Sequence, residues 1–136
     1  IAVVRSNLGD SPIKRRLEAL GSSVKEYRVY NVKQPNSSVS VSRLVRLLED
    51  GRIDAITFTS PSTVKNLLNM AEEQGLREEL IRLLSRVLIA VIGPVTKSAV
   101  EVYGLEVRSM PLRYTFEGLL DSLAKALEDT RGLKET

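Results

Sequence analysis

"DAITFTSPSTVKNLL", residues 54–68, decides the fold. A short strand-like stretch, AITF (55–58), runs directly into a helical pattern carried by Val64, Leu67, Leu68 and Ala71. A strand that feeds a helix with no room for a hairpin return is half of a βαβ unit. The junction is crowded with hydroxyls: Thr57, Thr59, Ser60, Ser62 and Thr63 flank Pro61. Ser60-Pro61 reads as an N-cap followed by the first helical position. Such hydroxyls either only cap the helix or also hold a ligand at its positive end.

The same alternation extends in both directions. IAVV (1–4), VKEYRVYNV (24–32), VLIAVI (87–92) and LEVRSM (105–110) read as further strands. Ser11-Pro12 opens a helix with Ile13, Leu17 and Leu20 on one face, stopped by Gly21. Val41, Leu44, Val45 and Leu48 mark a second helix ending at Gly51, and the third stops near Gly75. A short helix over 77–85 follows, then one opened by Gly93-Pro94 and closed by Gly104. Thr115 caps a last helix, with Phe116, Leu119, Leu120, Leu123 and Leu127 expected on one face. This order predicts an α/β fold: a flavodoxin-like three-layer sandwich around a five-stranded parallel sheet, with strands near 1–5, 24–30, 54–59, 87–92 and 105–109. The stretch NVKQPNSSVS (31–40) is the one linker-like segment.

Composition narrows the chemistry. The chain has 136 residues, 43% hydrophobic and 27% charged, enough for one real core. It has no cysteine and no histidine, so thiol nucleophiles, disulfides, Cys/His zinc sites and His-dependent triads are excluded. No metal site is expected, and no carboxylate pair stands out as an acid/base dyad. No apolar run approaches the roughly 18 residues of a membrane helix, and no signal peptide is visible. The chain starts at Ile1 rather than Met, which leaves room for sequence upstream. Absence of cysteine fits a cytoplasmic location. A net charge of +3 favours an anionic partner. Nucleic acid is not expected, because the basic residues are scattered and only two Phe and four Tyr are available to stack on bases.

Ligands of parallel α/β sheets bind beyond the carboxyl ends of the strands. Ser11-Pro12, Ser60-Pro61 and Gly93-Pro94 each put a helix start at that edge, with free N–H groups and a positive dipole end. Capping alone and a shared anionic ligand both fit these junctions. The loop RSNLGDSP (5–12) lacks the glycine pattern of a phosphate loop, and no aromatic ring is placed for a flavin. Tyr30, at the end of the second strand, is either a proton or hydrogen-bond donor or a packing aromatic. Asp54 reads as a cap of the turn before the third strand.

Taken together, DAITFTSPSTV (54–64), VLIAVIGPVTKSAVEVYGLEV (87–107) and TFEGLL (115–120) resemble the uroporphyrinogen-III synthase family. Upstream, IAVVRS and LEALGSSVKEYRVYNV resemble its strand, helix and Val-Tyr strand. The resemblance covers about the second half of such a protein. It implies two flavodoxin-like lobes, with residues 1–30 in one, 31–40 as crossover and 41–136 in the other. The alternative is a single closed domain over 1–136. The implied activity is a lyase reaction without metal or organic cofactor, in the cytoplasm. Hydroxymethylbilane, a linear tetrapyrrole with eight carboxylates, is closed to uroporphyrinogen III with loss of water and inversion of the last ring. The resemblance gives Tyr30 the role of assisting departure of the hydroxyl, and Ser60, Pro61, Ser62, Gly93, Pro94, Val95 and Thr96 the role of holding substrate. Val95 stands where some members carry threonine.

The competing reading is a non-catalytic flavodoxin-like module that binds anions or a partner. If half of a two-lobed enzyme is present, the fragment is expected to be inactive and to expose apolar surface. Two copies would then exchange their first strand–helix–strand units in a domain-swapped homodimer.

Overall fold

The strand-into-helix reading of residues 54–68 holds in the computed structural model, which describes residues 2–6, 12–30 and 38–134. The chain divides into two compact units, Ile1–Asn36 and Ser37–Thr136.

The first unit is a βαβ motif. β1 (Ala2–Ser6) and β2 (Lys25–Tyr30) are joined by α1 (Pro12–Ala19). The strands pair in parallel from Ala2 opposite Lys25 to Ser6 opposite Tyr30, with a register shift between Arg5 and Ser6. At the end of α1 the Ser22 N–H bonds to Leu17 O at 3.0 Å. Tyr30 is the last residue of β2, as read from the sequence. Ser11, the first of the three helix-start serines and glycines, lies outside the described residues.

The second unit holds α2 (Ser38–Glu49), β3 (Ala55–Phe58), α3 (Pro61–Glu73), α4 (Arg77–Leu84), β4 (Leu88–Val91), α5 (Pro94–Glu101) and α6 (Phe116–Lys134). β3 and β4 are parallel, Ala55 opposite Leu88 through Phe58 opposite Val91. All four β4 residues are buried, as an apolar central strand covered on both faces requires. Side chains alternate between the faces. Phe58, Ile89 and Val91 enter one core with Val41, Val45, Leu68, Leu80 and Val100 from α2 to α5. Leu88 and Ala90 enter another with Leu119 of α6, against which Leu123 and Leu127 pack. No helix among the described residues is long and apolar enough to cross a membrane.

Three expectations need correction. The described strands form two two-stranded parallel sheets, β1–β2 and β3–β4, and not one five-stranded sheet. LEVRSM (105–110) is not a strand: it meets β4 in a single parallel bridge between Ser109 and Ala90. The Arg108 and Ser109 N–H groups converge on the same Ile89 carbonyl, at 2.9 and 3.3 Å, before Val91 N–H reaches Ser109 O at 3.0 Å. Two donors on one acceptor break the ladder rhythm, and Pro111 supplies no further donor. The second correction concerns the linker-like stretch 31–40, whose last three residues already belong to α2. Serine is at home in a first helical turn. Thirdly, Phe116 and Leu120 do not share the buried face of Leu119, Leu123 and Leu127, and both are exposed. Both belong to the first turns of α6, and Leu120 stands at the far margin of the apolar stripe, about 100° round the helix from the buried Leu119.

Candidate functional site

The carboxyl end of the β3–β4 sheet collects three helix starts. β3 leads through Thr59 and Ser60 into α3, and β4 leads through Ile92 and Gly93 into α5. The segment bridged to β4 at Ser109 leads through Tyr114 and Thr115 into α6. Because the strands run parallel, all these helices present their N-termini on one side, where unpaired N–H groups carry partial positive charge. The first turns of α3 and α5 contain no acidic side chain.

The three starts differ in how their donors are met. At α3, Ser60 is an extended N-cap (φ −153°, ψ 150°) whose Oγ accepts the Thr63 N–H at 3.3 Å. Ser60 Oγ also lies 3.1 Å from Ser62 Oγ and 2.8 Å from Thr63 Oγ1. Two contacts among three hydroxyls use two of their three protons, which leaves one proton for an oxygen outside the cluster. At α6, Thr115 Oγ1 accepts the Gly118 N–H at 3.0 Å. At α5, Gly93 offers no side chain, Pro94 has no N–H, and no side chain caps the turn. Lys97 is the first residue of this turn to find a backbone partner, Gly93 O at 3.0 Å. The Val95 and Thr96 N–H groups of this turn are therefore left without a cap.

The sequence-derived site residues sort accordingly. Ser60, Pro61 and Ser62 gather at the α3 start, and Gly93, Pro94, Val95 and Thr96 at the α5 start. Thr96 is 3% exposed, so its side chain belongs to the packing under the helix, whereas Val95 is 72% exposed. Tyr30 belongs to the first unit. Asp54 is exposed, and its carbonyl accepts the Leu88 N–H at 3.1 Å.

Sequence reasoning missed Tyr114. A methyl group on Gly93 would sit 3.4 Å from Tyr114 Cγ and 3.6 Å from Cδ1, so the ring lies against the α5 start. It missed Gly118 as well. A Cβ there would fall 2.4 Å from Arg113 O, so only glycine lets the loop before α6 close this tightly. The signal was present in TFEGLL, where a glycine one turn into an otherwise apolar helix is costly and calls for a steric reason.

A cavity of about 480 Å³ opens elsewhere, at the amino end of the same sheet, between Asp54, Arg86, Val87, Arg108 and Arg131. None of the site residues lines it. The chemistry of the helix starts, not cavity size, places the candidate site at the carboxyl edge.

Comparison with known proteins follows this geometry. Residues 1–121 match the model of the family described as uroporphyrinogen-III synthase HemD. A Methanothermobacter thermautotrophicus protein named for the same synthase is 35% identical over 127 residues, covering 93% of this chain and 49% of its own length. The uroporphyrinogen-III synthase of Chlorobaculum parvum is 32% identical over 125 residues, covering 92% of this chain and 48% of its own length. The crystal structure of uroporphyrinogen III synthase from the extremely thermophilic bacterium Thermus thermophilus superposes with a TM-score of 0.63 at 21% identity, covering 95% of this chain and 50% of that one, which is a likeness of fold. The chain spans about half the length of the curated relatives it matches.

Replacing Ser60 by Ala should cost about 0.5–2 kcal/mol of stability, the usual worth of a serine cap. Urea unfolding measures it, and an unchanged midpoint would mean that the hydroxyl cluster does not cap α3.

Proposed function

The chain belongs to the uroporphyrinogen-III synthase family, and on that premise we propose that it contributes about half of an enzyme that closes hydroxymethylbilane to uroporphyrinogen III. The single observation that carries the reading at the site is the α5 start: Val95 and Thr96 N–H groups without a cap, on an edge whose α3 and α5 first turns hold no carboxylate. A substrate with eight carboxylates is matched by such donors, which hold it without a bound metal or cofactor. The Ser60, Ser62 and Thr63 cluster adds one hydroxyl proton at the neighbouring helix start.

The proposed chemistry asks little of side chains. A hydroxymethylpyrrole loses water readily, and the harder task is to decide which ring carbon attacks. That is a matter of orientation and of excluding water, for which backbone donors on rigid helix starts are suited. Tyr30 is the proposed proton donor to the departing hydroxyl. Its place at the carboxyl end of β2 and its match to the family's tyrosine support that role. The division after Asn36 supports assigning residues 1–30 and 41–136 to different lobes of an intact synthase. The reaction belongs in the cytoplasm, and on this reading the 136 residues alone are inactive. Self-association of the isolated chain is the accompanying proposal: light scattering should give about twice 15.1 kDa. A mass that stays at 15.1 kDa at high concentration would refute it.

The assay is conversion of hydroxymethylbilane by this chain alone, and by this chain joined to the N-terminal half of the Methanothermobacter thermautotrophicus relative. The joined form should yield the ring-inverted isomer, and the isolated chain should not. Only the uninverted closure product from both forms would speak for the non-catalytic module.

Tyr30→Phe in the joined form should lower turnover by about 10- to 1000-fold, the scale of one general acid. A wild-type rate would leave positioning alone as the mechanism.

A further inference from the structure

The cavity at the amino end of the β3–β4 sheet, about 480 Å³, is of the size that small molecules occupy. Its walls come from three places in the chain. The α2–β3 connection brings Glu49 and Asp54, and the turn before β4 brings Arg86. Arg108, from the segment bridged to β4, and Arg131 of α6 complete it. Leu88 and Leu127 add apolar lining.

Five charged side chains share this hollow, and they do not neutralise one another. Among the described residues, Glu49, Asp54, Arg86 and Arg131 form no ion pair. Arg108 gives only its Nε, to Glu106 at 3.3 Å, and keeps both terminal nitrogens of its fork. Helix ends account for part of the pattern. α2 and α4 finish at this edge, and Arg131 stands in the last turn of α6. The unpaired carbonyls of those ends favour cations, which is a reason for Arg86 and Arg131. It is no reason for Glu49 and Asp54, whose carboxylates meet the same negative ends unfavourably. Opposite charges that line one space without closing on each other leave it open to a molecule that meets both.

We propose that this cavity binds a phosphorylated sugar. The phosphoryl group takes the side of Arg86, Arg108 and Arg131, whose planar forks match its oxygens. The sugar hydroxyls donate to Glu49 and Asp54, acceptors of the kind that hold a ribose. Leu88 and Leu127 meet the base of a nucleotide or the carbon skeleton of the sugar. The charges decide against two other occupants. A bare inorganic anion meets the arginines but is repelled by both carboxylates. A polycarboxylate brings still more negative charge against them. None of Ser60, Pro61, Ser62, Gly93, Pro94, Val95 and Thr96 lines the cavity, so the inference stands independently of the proposed function.

Calorimetry and amide chemical shifts of the 136-residue chain, titrated with AMP, ribose 5-phosphate and inorganic phosphate, test this. Both sugar phosphates should bind, with shifts centred on residues 51–54, 86–88 and 127–131, and inorganic phosphate about 10-fold more weakly. AMP binding tighter than ribose 5-phosphate identifies a nucleotide as the occupant, and AMP binding no tighter identifies the sugar phosphate itself. Arg131→Gln, at an exposed position, should weaken AMP about 3- to 10-fold. Asp54→Ala separates the proposal from plain charge attraction: it should weaken AMP and strengthen inorganic phosphate. Unchanged or tighter AMP binding in either variant would overturn the inference. So would inorganic phosphate binding as tightly as AMP, shifts centred on the carboxyl edge, or no binding of either sugar phosphate.

Discussion

The parallel pairing of β3 with β4 is the constraint on which the second unit depends. Four consecutive residue pairs, Ala55–Leu88 to Phe58–Val91, fix the direction of both strands. Once the strands run the same way, α3 and α5 must both begin at the same edge. β4 is buried on both faces, so a change of register would carry Ile89 and Val91 out of one core and Leu88 and Ala90 into it. Two cores of different make-up lock the register: many leucines and valines from four helices on one side, and α6 alone on the other. The position of the candidate site is thus a consequence of packing far from it.

What caps a helix and what binds a ligand compete for the same N–H groups, and this fold answers the competition differently at each helix start. Ser60 and Thr115 satisfy a donor of their own helices. Gly93 cannot. The hydroxyl-rich junction that draws the eye in the sequence is therefore mostly occupied with itself. The plain Gly93-Pro94 junction leaves more of its hydrogen-bonding capacity open. On the proposed function, directional, rigid donors matter more than reactive side chains, and a chain without histidine or cysteine can supply them from backbone alone.

Much of this was legible in the sequence, for physical reasons that can be named. β3, β4 and the helices from α2 to α5 were readable because apolar periodicity, Ser-Pro and Gly-Pro starts and glycine stops all agree. Gly51 and Gly75, at φ 65° and 68°, end their helices where the pattern does. The 105–110 segment misled because its apolar-charged alternation fits a strand, while whether it joins a sheet depends on how many of its donors find separate acceptors. Phe116 and Leu120 misled because periodicity gives the apolar face of a helix but not how far along that face its neighbours reach, and the first turns of α6 stay exposed. The packing of Tyr114 against the α5 start was not readable at all. Its place depends on Gly118, four residues on, and on Gly93, twenty-one residues back, and no local pattern links the three.

The central claim is that the uncapped start of α5 holds a carboxylate. Amide chemical shifts of the 136-residue chain, recorded while a tetrapyrrole carboxylate is added, test it most directly. The account predicts the largest changes at Val95 and Thr96, smaller ones over residues 60–63, and none around Asp54, Arg86 and Arg131 at the amino edge. Changes centred on that amino edge, with Val95 and Thr96 unmoved, would contradict it.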